Sequence, residues 1–203
     1  MSEIEIRQAP IALKDRITAL CRDTYEKHRN EQPYVWSANF FEVAIQPHLD
    51  AAFTDKKGQQ LGESPSLFVA MIDDQFVGYL RISEWSVGIG GELHSGSVED
   101  ICVIPNYQGR GVARALIAHA KVLADRHDWD NLGAQVAEWN AASKGLFESA
   151  GFTVQNRTYR FGPKRQARDI PVPPQTRLIS LLGWFCMALT ILSLAAIGFL
   201  LTK

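Results

Sequence analysis

The sequence predicts an α/β domain with a mixed, partly parallel central sheet flanked by helices, followed by a single C-terminal transmembrane helix. Three observations carry that prediction. Short β-branched runs alternate with helical stripes; one strand passes through a glycine-bearing turn straight into a helix; an uncharged apolar stretch closes the chain. The chain has 203 residues, 46% of them hydrophobic, and a formal net charge of −1. That is enough for one well-packed domain with an appendage. A nucleic-acid binder would carry a basic excess or stripe, so the near-neutral balance excludes that class. Cys21, Cys102 and Cys186 make neither a disulfide framework nor a zinc spacing, and the histidines at 28, 48, 94, 119 and 127 have no ligand spacing, so no metal is expected.

Residues 13–28 place Leu13, Ile17, Leu20, Cys21 and Tyr25 on one helical stripe, and Phe40 to Phe53 make a second through Ala44, His48, Leu49 and Ala52. Cys21 and His48 read there as packing residues. Between the stripes, Pro33, Tyr34 and Trp36 mark an aromatic loop, and the polar stretch 54–66 reads as another. Runs at 67–72 and 75–82, separated by Asp73-Asp74, predict a β-hairpin. A third strand, 97–105, ends at Pro105, which cannot continue a central ladder. A helix over 110–126, a strand over 132–139, a short helix over 141–150 and a closing strand or hairpin arm over 152–161 complete the body.

The 24 residues from Leu178 to Leu201 carry no charge. At about 1.5 Å per residue such a helix is roughly 36 Å long, enough to cross a hydrocarbon core of about 30 Å, whereas buried core helices rarely run so far without a polar face. Lys164, Arg165, Arg168 and Arg177 precede it against Asp169, and only Lys203 follows. The positive-inside rule then places the N-terminal body in the cytoplasm and the C-terminus outside it, in a single-pass, tail-anchored arrangement. No apolar segment near the N-terminus resembles a signal peptide. The stretch 162–177 has four prolines and four basic residues. It reads as a semi-rigid spacer, its charges either drawn to anionic lipid headgroups or only setting topology. Gly183 and Gly198 form no Gly-x-x-x-Gly face, so the span reads as a lipid anchor.

The chemistry concentrates where the strand Val98–Pro105 runs through Asn106–Gly111 into a helix. Backbone N–H groups of a first helical turn, with the helix dipole behind them, form an anion cradle; Gly109 and Gly111 permit a tight backbone and Arg110 adds charge. Arg114 stands where a dinucleotide fingerprint needs its third glycine, and no Gly-Lys-Ser/Thr ending marks a nucleoside-triphosphate loop.

The run Gln108-Gly109-Arg110-Gly111-Val112-Ala113 resembles the Q/R-x-x-G-x-G/A motif of the GNAT family of N-acetyltransferases. Downstream, Asn140 to Phe152, with Ser143, Leu146, Phe147 and Gly151, resembles that family's N-x-x-A/S-x-x-L-Y-x-x-x-G-F segment. The resemblance covers roughly residues 3–161 and leaves 162–177 as linker and 178–201 as membrane helix. It implies acetyl-coenzyme A as cosubstrate, its pyrophosphate on Gln108–Ala113, its pantetheine arm along the backbone at Cys102 and Val103, and a side-chain contact from Asn140. Transfer in the family goes directly to the acceptor amine, so Cys102 reads as core rather than as an acyl nucleophile. Val98-Glu99-Asp100, with Val136 to Asn140, is similar to the small-amine (polyamine-type) subgroup. By that likeness Glu99 is the general base and amine anchor and Asp100 assists. The alternative is a structural acid bonded to backbone or to an arginine. Strand alternation predicts that the two carboxylates point to opposite faces.

Phe147 departs from the family pattern, which commonly has there a tyrosine that protonates the departing thiolate. A thiol pKa near about 8.5 lets water suffice; otherwise Tyr107 or Tyr159 substitutes, or the site is slow or inactive. Two readings follow. One is a membrane-anchored N-acetyltransferase acting on a small amine or a protein amine, with loops 33–41 and 84–96 shaping the acceptor pocket. The other is a weak or inactive accessory subunit of a larger membrane protein complex, docked through its C-terminal helix. The glycine loop and Asn140 favour the first; Phe147 and the anchor favour the second.

Overall fold

The computed structural model describes residues 3–53, 66–87, 93–159 and 167–171. The chain divides into two units, Met1–Asp169 and Ile170–Lys203, and the regular elements among the described residues lie in the first. The apolar run 178–201 and most of the linker lie outside the described residues; among those that are described, no helix is long and apolar enough to cross a membrane.

Strand β1 (Glu5–Gln8) precedes helix α1 (Lys14–Glu31), and a π-type turn at Phe41–Ile45 runs into α2 (Gln46–Ala52). Then come β2 (Ser66–Ile72), β3 (Gln75–Val87), β4 (Leu93–Val103), α3 (Val112–Arg126), β5 (Asn131–Ala134) and α4 (Ala141–Ser149). The five strands form one sheet in sequence order, antiparallel through β4, with β5 parallel to β4. The mixed, partly parallel sheet is therefore as the sequence predicts, with α3 as the crossover. Asp73 and Asp74 both take positive φ (48° and 59°), the conformation a two-residue hairpin needs to match strand twist.

Four elements differ from expectation. β1 is a short, polar edge strand that carries no alternation signal. The second stripe is not one helix: Pro47 has no N–H to donate and its ring crowds the carbonyl four residues back, so the turn before it widens. The strand expected over 132–139 stops at Ala134. The closing strand expected over 152–161 is absent over 152–159, where no regular element forms and residues 153–159 are exposed.

Each face of the sheet is covered by helices. On one, Leu80, Ile82 and Val98 pack against Val112, Leu116, Ile117, Ala120 and Leu123 of α3 and Phe147 of α4. On the other, Val69, Phe76 and Tyr79 meet Ile17 and Cys21 of α1 with Phe41, Ile45 and Leu49. Fully burying a Leu or Ile is worth about 1.5–3 kcal/mol, so α1 and α3 are held chiefly by these stripes. Gly96 lets the Trp129 ring lie flat on β4; a Cβ there would stand 2.2 Å from the ring.

Candidate active site

β4 is paired with β3 along its length, but β5 covers only Ser95–Val98, the last pair being Val98↔Ala134. From Glu99 to Val103 the other edge of β4 has no strand beside it among the described residues, so a row of backbone N–H and C=O groups is left open there. The cause is local. Pairing with β3 steps from Arg81↔Asp100 to Ile82↔Val98, which makes Glu99 an extra residue, a β-bulge. Bulges bend and twist a strand, and this one sits where β5 leaves.

The same bulge corrects the expectation that Glu99 and Asp100 face opposite ways. Ser83 Oγ donates to Glu99 Oε1 at 2.6 Å, and Arg81 Nε donates to Asp100 Oδ2 at 2.6 Å. Arg81 and Ser83 are two apart on β3 and share a face, so both carboxylates lie on the α1 side of the sheet. Their surroundings differ sharply. Glu99 is exposed, whereas the Asp100 and Arg81 side chains are 8% and 6% exposed. Burial raises the Asp100 pKa above the usual carboxyl range, and the Arg81 charge and the Tyr25 hydroxyl oppose that rise without cancelling it. For Arg81, burial works against the charge, but Asp100 together with Tyr25 and Glu99 more than offsets it, and the net shift is upward. Asp100 is thus bonded to an arginine inside the protein, and Glu99 is the carboxylate that a solvated amine can reach.

Beside this pair, Cys102 Sγ and Thr24 Oγ1 are 2.7 Å apart. Burial pushes the Cys102 thiol pKa up, against the opposing Thr24 hydrogen bond, which keeps it protonated and a poor nucleophile. Cys21, fully buried in the same face, is raised by burial likewise.

Past Val103 the chain makes a short 3-10 turn at Pro105–Tyr107 and reaches the glycine loop. Gln108 Nε2 donates to Val103 O at 3.1 Å, tying loop to strand end. Gly109 and Gly111 have φ of 72° and 83°, and residues 108–111 are exposed. Gly111 is the N-cap of α3 and provides no side-chain cap, so the first-turn N–H groups have no partner within the helix. A Cβ on either glycine would meet nothing within 4 Å; the space above the loop is open. The Arg110 guanidinium lies 5.2 Å over the Tyr107 ring, whose hydroxyl donates to Gln75 Oε1 at 2.6 Å. Val112 is buried and Ala113 half-buried, so these two contribute backbone rather than side chain. Free N–H groups, a helix start and one arginine fit a diphosphate, and the open edge of β4 fits an extended amide-bearing arm.

Across the opening, residues 135–140 leave β5 without strand structure. Asn140 Oδ1 accepts from Ser143 N at 3.1 Å and caps α4, so that oxygen serves the fold. Phe147, 7% exposed, lies in the α3-face core with its ring edge-on to Phe152 at 5.1 Å. Of the tyrosines considered as proton donors, Tyr107 is bonded to Gln75 and Tyr159 is 86% exposed. No group of three or more His, Cys, Asp or Glu among the described residues could hold a metal ion.

Sequence reasoning missed Arg81, Ser83 and Tyr25. A lone arginine inside the apolar run Phe76–Ile82 was the available signal, because a basic residue in a buried strand needs an acid opposite.

A model of the acetyltransferase (GNAT) family matches residues 22–152. No curated protein matches the chain significantly. Among solved structures, a variant of the BH1408 protein from Bacillus halodurans superposes with a TM-score of 0.65 at 20% identity, covering 78% of this chain and 99% of that one. The aminoglycoside N-acetyltransferase AAC(6')-Iy, solved in complex with CoA, gives 0.58 at 18% identity over 81% and 97% of the two chains. A ribosomal-protein-alanine N-acetyltransferase from Brucella melitensis gives 0.55 at 17% identity, over 79% and 99%. At these identities the likeness is one of fold.

Proposed function

The chain belongs to the acetyltransferase (GNAT) family, and from that premise we propose that it is a membrane-anchored N-acetyltransferase that moves an acetyl group from acetyl-coenzyme A to a small amine or a protein amine. The observation that carries this reading is the continuity of one edge: the open backbone of β4 leads directly into the Gly109–Gly111 turn and the start of α3. The backbone at Cys102 and Val103 would hold the pantetheine arm. The amides of Gly109 to Ala113, with Arg110, would hold the diphosphate, the Gln108 backbone amide being bonded to Pro105 O. Acetyl-coenzyme A supplies a thioester, an acyl group already activated toward an amine.

The protein's own part is binding, orientation and proton removal. An alkylammonium has no lone pair, so the acceptor must first lose a proton, and Glu99 is the exposed carboxylate next to the open edge. Ser83 fixes the direction of its carboxylate, and buried Asp100 and Arg81 hold the bulge on which it stands. Glu99 would take the ammonium proton before attack; as the new C–N bond forms and the C–S bond breaks, the second amine proton would leave to solvent. The leaving sulfur, with a thiol pKa near about 8.5, takes its proton from water, since Phe147 offers no hydroxyl. Glu99→Gln should lower kcat by about 10²-fold or more while leaving acetyl-coenzyme A affinity within about twofold. Thiol-release kinetics and calorimetry measure the two, and unchanged turnover would remove Glu99 from the chemistry.

Anchoring rests on the uncharged run Leu178–Leu201 and the basic residues before it, with the body on the cytoplasmic side. The full chain should stay in the membrane pellet through an alkaline carbonate wash and be released on truncation before Leu178. Release of the intact chain by the wash would contradict an anchor.

A further inference from the structure

We propose, resting on the acetyltransferase reading, that Tyr107 is a positioning residue for the diphosphate of coenzyme A: it holds the Arg110 guanidinium in place before the ligand arrives, and Gln75 of the β2–β3 hairpin holds Tyr107. The Arg110 guanidinium lies 5.2 Å over the Tyr107 ring, within the range of a cation–π contact. The Tyr107 hydroxyl donates to Gln75 Oε1 at 2.6 Å. Both supports are themselves anchored. Gln75 is the first residue of β3 and is paired with Ile72 across the Asp73-Asp74 turn. Tyr107 ends the 3-10 turn, where its N–H donates to Ile104 O at 2.9 Å, and Ile104 N donates in turn to Val77 O of β3 at 2.9 Å. Its half-buried ring packs against the α3-face core.

The arginine held in this way is uncommitted. Among the described residues no carboxylate pairs with Arg110, whereas Arg7, Arg22 and Arg81 each have one. A long exposed side chain loses rotamer freedom when it grips a phosphate, and that loss weakens binding. Stacking on Tyr107 takes part of the loss in advance. It occupies the flat face of the guanidinium and leaves open the edge N–H groups, from which phosphate oxygens accept. Gly109, at φ 72°, lies between the two residues, and Arg110 is followed directly by Gly111, the N-cap of α3. A diphosphate at this helix start would therefore meet a pre-set charge next to the free amides. A lysine could not take the role, since an ammonium is a point charge without a planar face. The Tyr107 hydroxyl proton is already given to Gln75, so the part of this tyrosine is in binding rather than in proton donation.

The test is calorimetric titration of coenzyme A into the full-length protein and its variants. Arg110→Met should weaken binding by about tenfold. Tyr107→Leu should weaken it by about fivefold, but by less than about twofold in the Arg110→Met background, because the tyrosine acts through the arginine. Arg110→Lys should bind no more than about twofold better than Arg110→Met. No loss in Tyr107→Leu, or the same loss in both backgrounds, would overturn the proposal, since a tyrosine that only supports the loop matters whether or not the arginine is present. Arg110→Lys carries the test if Tyr107→Leu fails to fold: unreduced affinity in the lysine variant would also overturn the proposal, because a charge without a planar face would then suffice. Failure of the unsubstituted protein to bind coenzyme A would instead defeat the acetyltransferase reading and take this one with it.

Discussion

Replacing Arg81 with methionine should lower the stability of the folded chain by about 3–5 kcal/mol at neutral pH, since removing one partner of a buried ion pair leaves the other charge uncompensated. Methionine keeps most of the arginine stem's length, so the loss reports on Asp100 rather than on a cavity. The pH dependence has a definite sign. In the native protein burial already raises the Asp100 pKa, so the folded state holds that proton more tightly than the unfolded chain does. The contribution of this group is therefore fully present below the unfolded carboxyl pKa of about 3.9 and is lost as pH rises through the folded value. Without Arg81 nothing comparable opposes burial, and the folded pKa rises further. The penalty of Arg81→Met should consequently be largest near pH 8 and shrink toward pH 5 as Asp100 takes up its proton. Urea unfolding at the two pH values measures this; a penalty under about 1 kcal/mol, or one equal at both, would mean that Asp100 is not a buried carboxylate.

Gly111→Glu should weaken acetyl-coenzyme A binding by about 100-fold, or about 2.7 kcal/mol. Two effects combine. At φ 83° any side chain is strained, at a cost of about 1–2 kcal/mol that falls on folding. The new carboxylate would also project into the open space above the loop, where the diphosphate charge is expected. Gly111→Ala separates the effects, because it carries the strain without the charge, and should lose less than about tenfold in affinity. Equal losses for the two variants would show that backbone shape alone matters and that no phosphate lies at this helix start.

What the sequence made legible was local. The helix α1 could be read from its apolar stripe, the β2–β3 hairpin from Asp73-Asp74, and the β4–α3 unit because strand, glycine turn and helix are contiguous. What it hid depends on pairing between distant segments. Nothing near Glu99 announces a bulge; it exists because β3 and β4 slip by one residue between Arg81 and Ile82, and that slip turned a prediction of opposite faces into a shared one. Asp100's commitment to Arg81 spans 19 positions and follows from the same register. The early end of β5 is also a property of the pair, since the strand stops where its partner bends. Strand β1 has too little apolar content to signal itself and is specified by the edge of β2. Pro47 is different: it stood in plain view inside a helical stripe, and its consequence was a local one.

Titration of acetyl-coenzyme A into the full-length protein, followed calorimetrically, tests the proposed cofactor edge most directly. Saturable binding in the micromolar range is expected, with one site per chain, on the edge formed by β4 and the glycine loop. A folded protein that releases no binding heat up to millimolar cofactor would contradict it, and would make this acetyltransferase fold a docking subunit instead.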